Sequence, residues 1–170
     1  MAITKIQSES MNLADTYAFT GTVTGAGESN APSFAAYVGS NQTISDRTTT
    51  KVSFTGEHFD TASAYDNSSN YRFTVPSGEG GKYMFAAGFN AHTDTTTKLH
   101  LWFYVNGSSA FSSMGTQQTQ YRDTNSYING VRFFNLSAGD YVEIYVRQEQ
   151  GSSSTLQTDG SYFEGFKISS

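Results

Sequence analysis

An all-β sandwich, barrel or jelly roll is the fold class this sequence predicts, on three observations. Strand-like segments recur at short intervals, separated by turns of Gly, Asn, Ser or Asp. No segment sustains the 3.6-residue period of an amphipathic helix. Aromatic residues reach 15% while charged residues are held to 15%, well below the usual quarter, which suits short strands joined by small polar turns. A chain of 170 residues is most simply one domain with a real core and a short appendage.

The appendage comes first. In "MAITKIQSESMNLADTYAFTGTVTGAGESN", Ile3, Ile6 and Leu13 are too sparse for an amphipathic helix. "TYAFTGTVT" then alternates with a period of two, Tyr17, Phe19 and Val23 against Ala18, Thr20, Thr22 and Thr24. "GAGESN" follows as a hinge of small residues. A strand this poor in charge invites pairing with a neighbour's edge, so residues 1–30 read as a docking arm and hinge carried by Ile3, Ile6, Leu13, Tyr17, Phe19 and Val23.

From residue 31 to residue 170 the strands follow one another. They are "PSFAAYVG" (32–39), "TKVSFTGEHF" (50–59), "NYRFTVP" (70–76), "KYMFAAGFNAH" (82–92), "KLHLWFYVNG" (98–107), "INGVRFFNL" (128–136), "DYVEIYVRQE" (140–149) and "SYFEGFKIS" (161–169). Alternation assigns their faces. Leu99, Leu101, Phe103 and Val105 fall on one side of their strand and Lys98, His100, Trp102 and Tyr104 on the other. In the "DYVEIYV" strand Val142, Ile144 and Val146 oppose Tyr141, Glu143 and Tyr145. The aliphatic sides are core. The aromatic sides predict a surface covered by another subunit, because contiguous exposed apolar patches mark contacts.

These motifs, in this order, resemble the globular head of the C1q-like (complement C1q and tumour necrosis factor) family. That family's first half runs through a Val-x-Phe strand end, a Tyr-Asp pair, Phe-Thr-x-Pro and Gly-x-Tyr-x-Phe. The matching positions here are Val52 and Phe54, Tyr65 and Asp66, Phe73, Thr74 and Pro76, then Gly81, Tyr83 and Phe85. "LHLWFYVNG" stands where the family has a strand ending in an Asn-Gly turn. Its Leu-x-x-Gly-Asp-x-Val segment is matched by Leu136, Gly139, Asp140 and Val142, and its closing Ser-x-Phe-x-Gly-Phe by Ser161, Phe163, Gly165 and Phe166. The "SGEGG" corner is longer than the family's usual step from Pro to Gly. The resemblance implies a C1q/TNF-like ten-stranded jelly-roll β-sandwich that assembles as a homotrimer. It makes Phe54, Phe73, Pro76, Gly81, Tyr83, Phe85, Gly139, Phe163 and Phe166 fold-core positions. His100, Trp102, Tyr104, Tyr141 and Tyr145 would then line the trimer seam, with Gly165 leaving room for a neighbour near the axis.

Several function classes are disfavoured by what the chain carries. A net charge of −5, with Lys and Arg scattered singly, provides no basic stripe for a nucleic acid. No apolar run approaches the ~20 residues of a membrane helix, and no secretory leader opens the chain. With 0 cysteines there is neither disulfide nor thiolate chemistry. His58, His92 and His100 lack zinc-ligand spacing, and no GxSxG, Walker loop or strand-linked GxGxxG occurs. No catalytic residues are assigned, and the protein is expected not to be an enzyme. Some family members bind calcium through loop carboxylates; Asp94, Asp123 and Asp159 are the weak loop candidates, but they match no ligand pattern, so no cofactor is expected.

The leader "ITKIQSESMNLADTYAFTGTVTGAG" resembles those that precede C1q-like heads on structural proteins of marine tailed phages. That resemblance implies a virion-surface protein assembled in the host bacterial cytoplasm, either a capsid decoration docked by its arm or the receptor-binding tip of a fibre or spike. Its partners would be other virion proteins, of the capsid or fibre base, and, for a tip, a host surface glycan.

Overall fold

The computed structural model describes residues 31–93, 97–110, 116–119 and 125–170. Among them fourteen strands form, in two antiparallel sheets that face each other. In the first sheet, β11 (Asn125–Leu136) pairs with the long β7 (Gly81–His92). On its other side β7 pairs with β14 (Tyr162–Ser169), which pairs with β1 (Ser33–Tyr37) and so with β4 (Gly56–Asp60). β13 (Ser154–Leu156) joins the end of β7 and carries β2 (Gln42–Ile44). The second sheet runs β10 (Thr116–Thr119), β8 (Thr97–Val105), β12 (Tyr141–Gln148), β6 (Arg72–Thr74), β5 (Tyr65–Asp66). β3 (Thr50–Lys51) adds to β12 and β9 (Ser108–Ser109) to β8.

All eight expected strands form, and the jelly roll is the fold. Fourteen strands stand where alternation gave eight and the resemblance implied ten: one of the eight is divided, and five extra pieces of two to four residues pair. The divided strand is "TKVSFTGEHF". Its start, β3, pairs with β12 of the second sheet, while its end, β4, pairs with β1 of the first. Residues 52–55 between them cross from sheet to sheet, with Val52 and Phe54 fully buried on the way. Alternation sees an unbroken strand there because the corner keeps every second side chain inward.

The core lies between the sheets and is aromatic at its centre. Phe34 stacks on Tyr65 at 5.0 Å and on Phe73 at 5.0 Å, and meets Phe163 edge-on at 4.9 Å. Phe85 closes on Phe163 at 5.9 Å and on Phe73 at 5.4 Å. First and last strands thus meet strands of both sheets in one cluster, each ring burying ~150–250 Å². Tyr65 keeps its hydroxyl satisfied by donating to the Phe54 carbonyl at 3.1 Å, and burial drives its phenol far above the ordinary value. Tyr83, likewise desolvated and near Glu79, is pushed up to about 12.

Gly165 sits on the inward face of β14, where an added Cβ would lie 2.4 Å from Phe85 Cδ1 and 2.8 Å from the Met84 carbonyl oxygen. Its missing side chain therefore makes room for the chain's own Phe85. The expected space for a neighbouring subunit is corrected on this point. Phe54, Phe73, Tyr83, Phe85 and Phe163 occupy the core as expected. Four other motif positions do not. Pro76 is half-buried at a turn, where its carbonyl accepts from Glu79 N, and Gly139 is exposed at φ 88°. Gly81, half-buried at φ 148°, begins β7 where a Cβ would strike the Ser169 carbonyl at 2.2 Å. Phe166, one residue past Gly165, points to the outer face of the sheet and is half-buried there.

Carboxylates tie the loops. Asp66 accepts from Ser68 N, Ser69 N and Asn70 N at 2.9–3.1 Å and from Asn70 Nδ2 at 2.7 Å. These donors, Ser69 N foremost, hold its carboxyl well below the ordinary range. Asp140 accepts from Asn106 Nδ2 at 2.8 Å and Ser137 N at 2.8 Å, and is lowered for the same reason.

Two outcomes follow for the head. Gly165→Ala overfills the β14/β7 contact, and ~1–3 kcal/mol of lost stability is expected. Chemical denaturation measures it, and an unchanged midpoint would refute the packing argument. A carboxyl lowered by folding stabilises above its unfolded value near ~3.9, and that contribution drains away as pH falls towards the folded value. Asp66→Asn should therefore lower the melting temperature at pH 7, with the gap from the parent chain narrowing steadily below about pH 4. A gap that stays constant from pH 7 to pH 2 would show that Asp66 acts through shape alone.

Candidate interaction surfaces

Each sheet turns one face to the core and one outward, and the two outward faces differ in kind. On the second sheet the outward residues of β8 are His100, Trp102 and Tyr104, beside Tyr141, Glu143, Tyr145 and Arg147 of β12. These were the residues expected at a trimer seam, and the structure brings them together. It also supplies them with partners in their own chain. His100 stacks on Trp102 at 5.3 Å with planes 8° apart, and Tyr104 meets Tyr145 at 4.1 Å. Arg72 lies over the Tyr141 ring at 4.1 Å. Glu143 is buried and paired with Lys51. Glu149 takes Arg147 Nη2 at 2.9 Å and has His100 Nε2 at 3.3 Å. Burial, with the Glu143 carboxylate beside it, raises the Tyr145 phenol. None of these rings is among the strongly exposed apolar side chains.

Those exposed apolar side chains belong to the first sheet. Phe133 is 64% exposed, Phe59 50% and Val131 44%. In register across that outer face lie Phe133, Met84, Phe166 and Ser33, and in the next row Val131, Ala86, Glu164, Ala35 and Phe59. A third row ends the patch with two tyrosines pressed flat on glycine. A Cβ at Gly88 would meet the Tyr162 ring at 2.7 Å, and one at Gly56 the Tyr37 ring at 2.3 Å. Between β4, β1, β14 and β7 opens a groove of about 170 Å³ lined by Phe34, Ala35, Phe59, Met84, Glu164 and Phe166. Glu164, exposed, is the charged group of that lining.

Sequence reasoning missed this face. In "INGVRFFNL" residues 133 and 134 are both Phe, so alternation does not say which side is core, and "GEHFD" carries one apolar residue among polar ones. Pairing decides it: Phe134 turns towards Phe85 and Phe103, at 6.1 and 6.2 Å, and Phe133 turns out.

The remaining candidates are scattered. Asp159 is exposed, and its carbonyl accepts from Asn90 Nδ2 at 3.1 Å. Asp94 and Asp123 lie outside the described residues, as do Ile3, Ile6, Leu13, Tyr17, Phe19 and Val23 of the arm. Among the described residues no three His, Cys, Asp or Glu side chains gather at metal-binding distance. His58 lies against the Tyr37 ring at 4.6 Å, far from His100 in the other sheet.

No protein-family model matches the sequence, and no curated protein matches it significantly. Solved structures do match in shape. The globular domain of zebrafish complement 1qA protein superposes with a TM-score of 0.57 at 17% identity, over 81% of this chain and 98% of that one. Murine APRIL, at pH 5.0, gives 0.57 at 14% identity, over 80% and 98%. The TNF Eiger of S. frugiperda gives 0.50 at 14% identity, over 81% and 90%. At such identities the likeness is one of architecture, and with all its described strands antiparallel in two facing sheets the chain has the C1q/TNF-like jelly-roll fold.

Proposed function

We propose that the protein is a non-enzymatic, homotrimeric structural module of a virion, with residues 31–170 as the head and residues 1–30 as the arm that docks it. The observation that carries the assembly is the outer face of the first sheet, where Phe133, Val131, Phe59 and Phe166 lie on one surface with a single carboxylate, Glu164, among them. A face this apolar on a protein so rich in polar residues is stabilised by covering it. The seam is therefore assigned to this sheet, in place of the His100, Trp102, Tyr104, Tyr141 and Tyr145 face, where most rings and charges meet partners within the chain, although His100 Nδ1 and Arg147 Nε are buried there without a hydrogen-bond partner. The groove lining has one ionisable side chain and no nucleophile–base pair, which supports a binding role over a catalytic one.

The virion assignment rests on the leader's resemblance to those of phage structural proteins. Of the two virion roles, a capsid decoration docked by its arm on the particle surface is favoured. Calcium plays no part in this reading. The second role, a tip that binds a host glycan, is favoured by one observation: the Trp102, Tyr104 and Tyr145 rings remain on the outward sheet when the other face forms the seam, and aromatic rings beside charged groups suit sugars.

Light scattering on the purified chain at micromolar concentration should give the mass of three copies; one copy would end the trimeric reading. Tyr17→Asp combined with Phe19→Asp should leave that mass unchanged and abolish incorporation into particles. Incorporation at the parental level would remove the arm's assigned role. Trp102→Ala should leave incorporation intact under the decoration reading, whereas loss of attachment to host cells by otherwise complete particles would favour the tip.

A further inference from the structure

We propose that the outward face of the second sheet is a binding site for an acidic polysaccharide, a chain of sugars that carry carboxylates. The inference rests on the sugar-binding reading of the Trp102, Tyr104 and Tyr145 face and names the class of sugar.

Two interior strands build the face by alternation. β8 sends His100, Trp102 and Tyr104 outward, and β12 sends Tyr141 and Tyr145. Along β8 the rings recur at every second residue, ~7 Å apart. All five are half-buried, so part of each meets solvent. Polar groups alternate with them in register: Tyr104 lies opposite Glu143 and then Arg72, Trp102 opposite Tyr145 and then Lys51, and His100 opposite Arg147. Rings set among polar groups suit a sugar, whose C–H face packs on an aromatic ring while its hydroxyls reach polar neighbours. A peptide strand fits less well. β8 and β12 have both edges paired, so neither has a free backbone edge on which a strand could add.

Charge decides which sugar. The carboxylates of this face are already committed: Asp66 to the N–H groups of its own turn, Glu143 to Lys51 and Glu149 to Arg147. The cations are not. Among the described residues Arg72 lies over the Tyr141 ring at 4.1 Å and has no ion pair, and Lys98, exposed beyond His100 on β8, has none either. Arg147 Nε is buried without an acceptor, and neither ring nitrogen of His100 makes a hydrogen bond. On a chain of net charge −5, this face therefore holds more donors than its own carboxylates occupy. A ligand that fits must bring acceptors, and a carboxylate is the group that matches a guanidinium or an ammonium.

The two free cations also set the length of the ligand. Lys98 stands six residues along β8 from Tyr104, ~20 Å, and Arg72 shares the row of Tyr104. That span takes a chain of several sugars and not a single one. A single-stranded nucleic acid also combines stacking with cations, but it carries a charge on every nucleotide. Two unpaired cations on an acidic chain do not offset that repulsion.

The test uses the full chain, in which Trp102 is the 1 tryptophan, so its fluorescence reports on this face alone. Oligomers of galacturonate, mannuronate and glucuronate are titrated at low salt beside their methyl esters, which keep the sugar and remove the charge. At least one acid oligomer should quench the fluorescence to saturation, with its ester binding about tenfold more weakly. Arg72→Gln combined with Lys98→Gln should remove most of that difference, with circular dichroism melts reporting the fold. Lys82→Gln, on the other sheet, should preserve it. Calorimetry on Trp102→Ala should show both acid and ester weakened. Equal affinity for acid and ester overturns the acidic class and leaves the sugar reading standing. No binding of any acid or ester overturns both. A single-stranded oligonucleotide that binds more tightly than every acid oligomer overturns the polysaccharide in favour of nucleic acid.

Discussion

The head depends on one crossing, where β14 lies against β7 and Gly165 lets the Phe85 ring fill the space a side chain would take. With Phe85 there, Phe163 and Phe34 close around it, and Tyr65 and Phe73 reach the same cluster from the second sheet. The first strand and the last are neighbours through this contact, five residues in register. A jelly roll needs such a lock because nearly all of its pairings are between segments distant in sequence, and each must offset the entropy of closing a long loop.

Polar chemistry is confined to places where it serves the chain itself. Asp66 and Asp140 bind the backbone N–H groups of their own turns, and Asp140 with Asn106 joins the β8–β9 turn to the start of β12. Lys51 and Glu143 neutralise each other on the outside of the second sheet, across from Arg147 and Glu149. Lys167, buried at the end of the core, is matched by Glu79 at 3.0 Å. Burying a charge without such a partner would cost far more than the local geometry returns.

The consequence is a molecule with two unlike surfaces. One sheet presents rings and ions most of which already have partners, His100 Nδ1 and Arg147 Nε excepted; the other presents exposed aliphatic and aromatic groups. An assembly that covers the second surface leaves the first free to face outward, so the same sandwich can join copies through one side and display the other. Tyr37 on Gly56 and Tyr162 on Gly88 flatten one end of the apolar side, while Phe133 stands above the other.

Local periodicity was enough to read the fold class, the eight main strands and the inward set on β8 and β12, because alternation reports which residues leave water and needs no knowledge of the partner strand. Ordered motifs from Val52 to Phe166 made the jelly roll legible as well. What alternation does not carry is the identity of the sheet a strand joins. Residues 50–60 therefore read as one strand, although they change sheets at Val52–Thr55. For the same reason the tyrosines and tryptophan of the second sheet read as a bare surface: the rings and ions that cover them come from β3, β6 and the neighbouring strand. The exposed apolar face is the reverse case, since Phe133 and Phe134 are alike in sequence and only pairing with β7 sends one inward and the other out. Composition and period determined that this chain buries aromatic strands in a sandwich; tertiary pairing alone decided which surface was left uncovered, because exposure belongs to the arrangement of strands and not to any one of them.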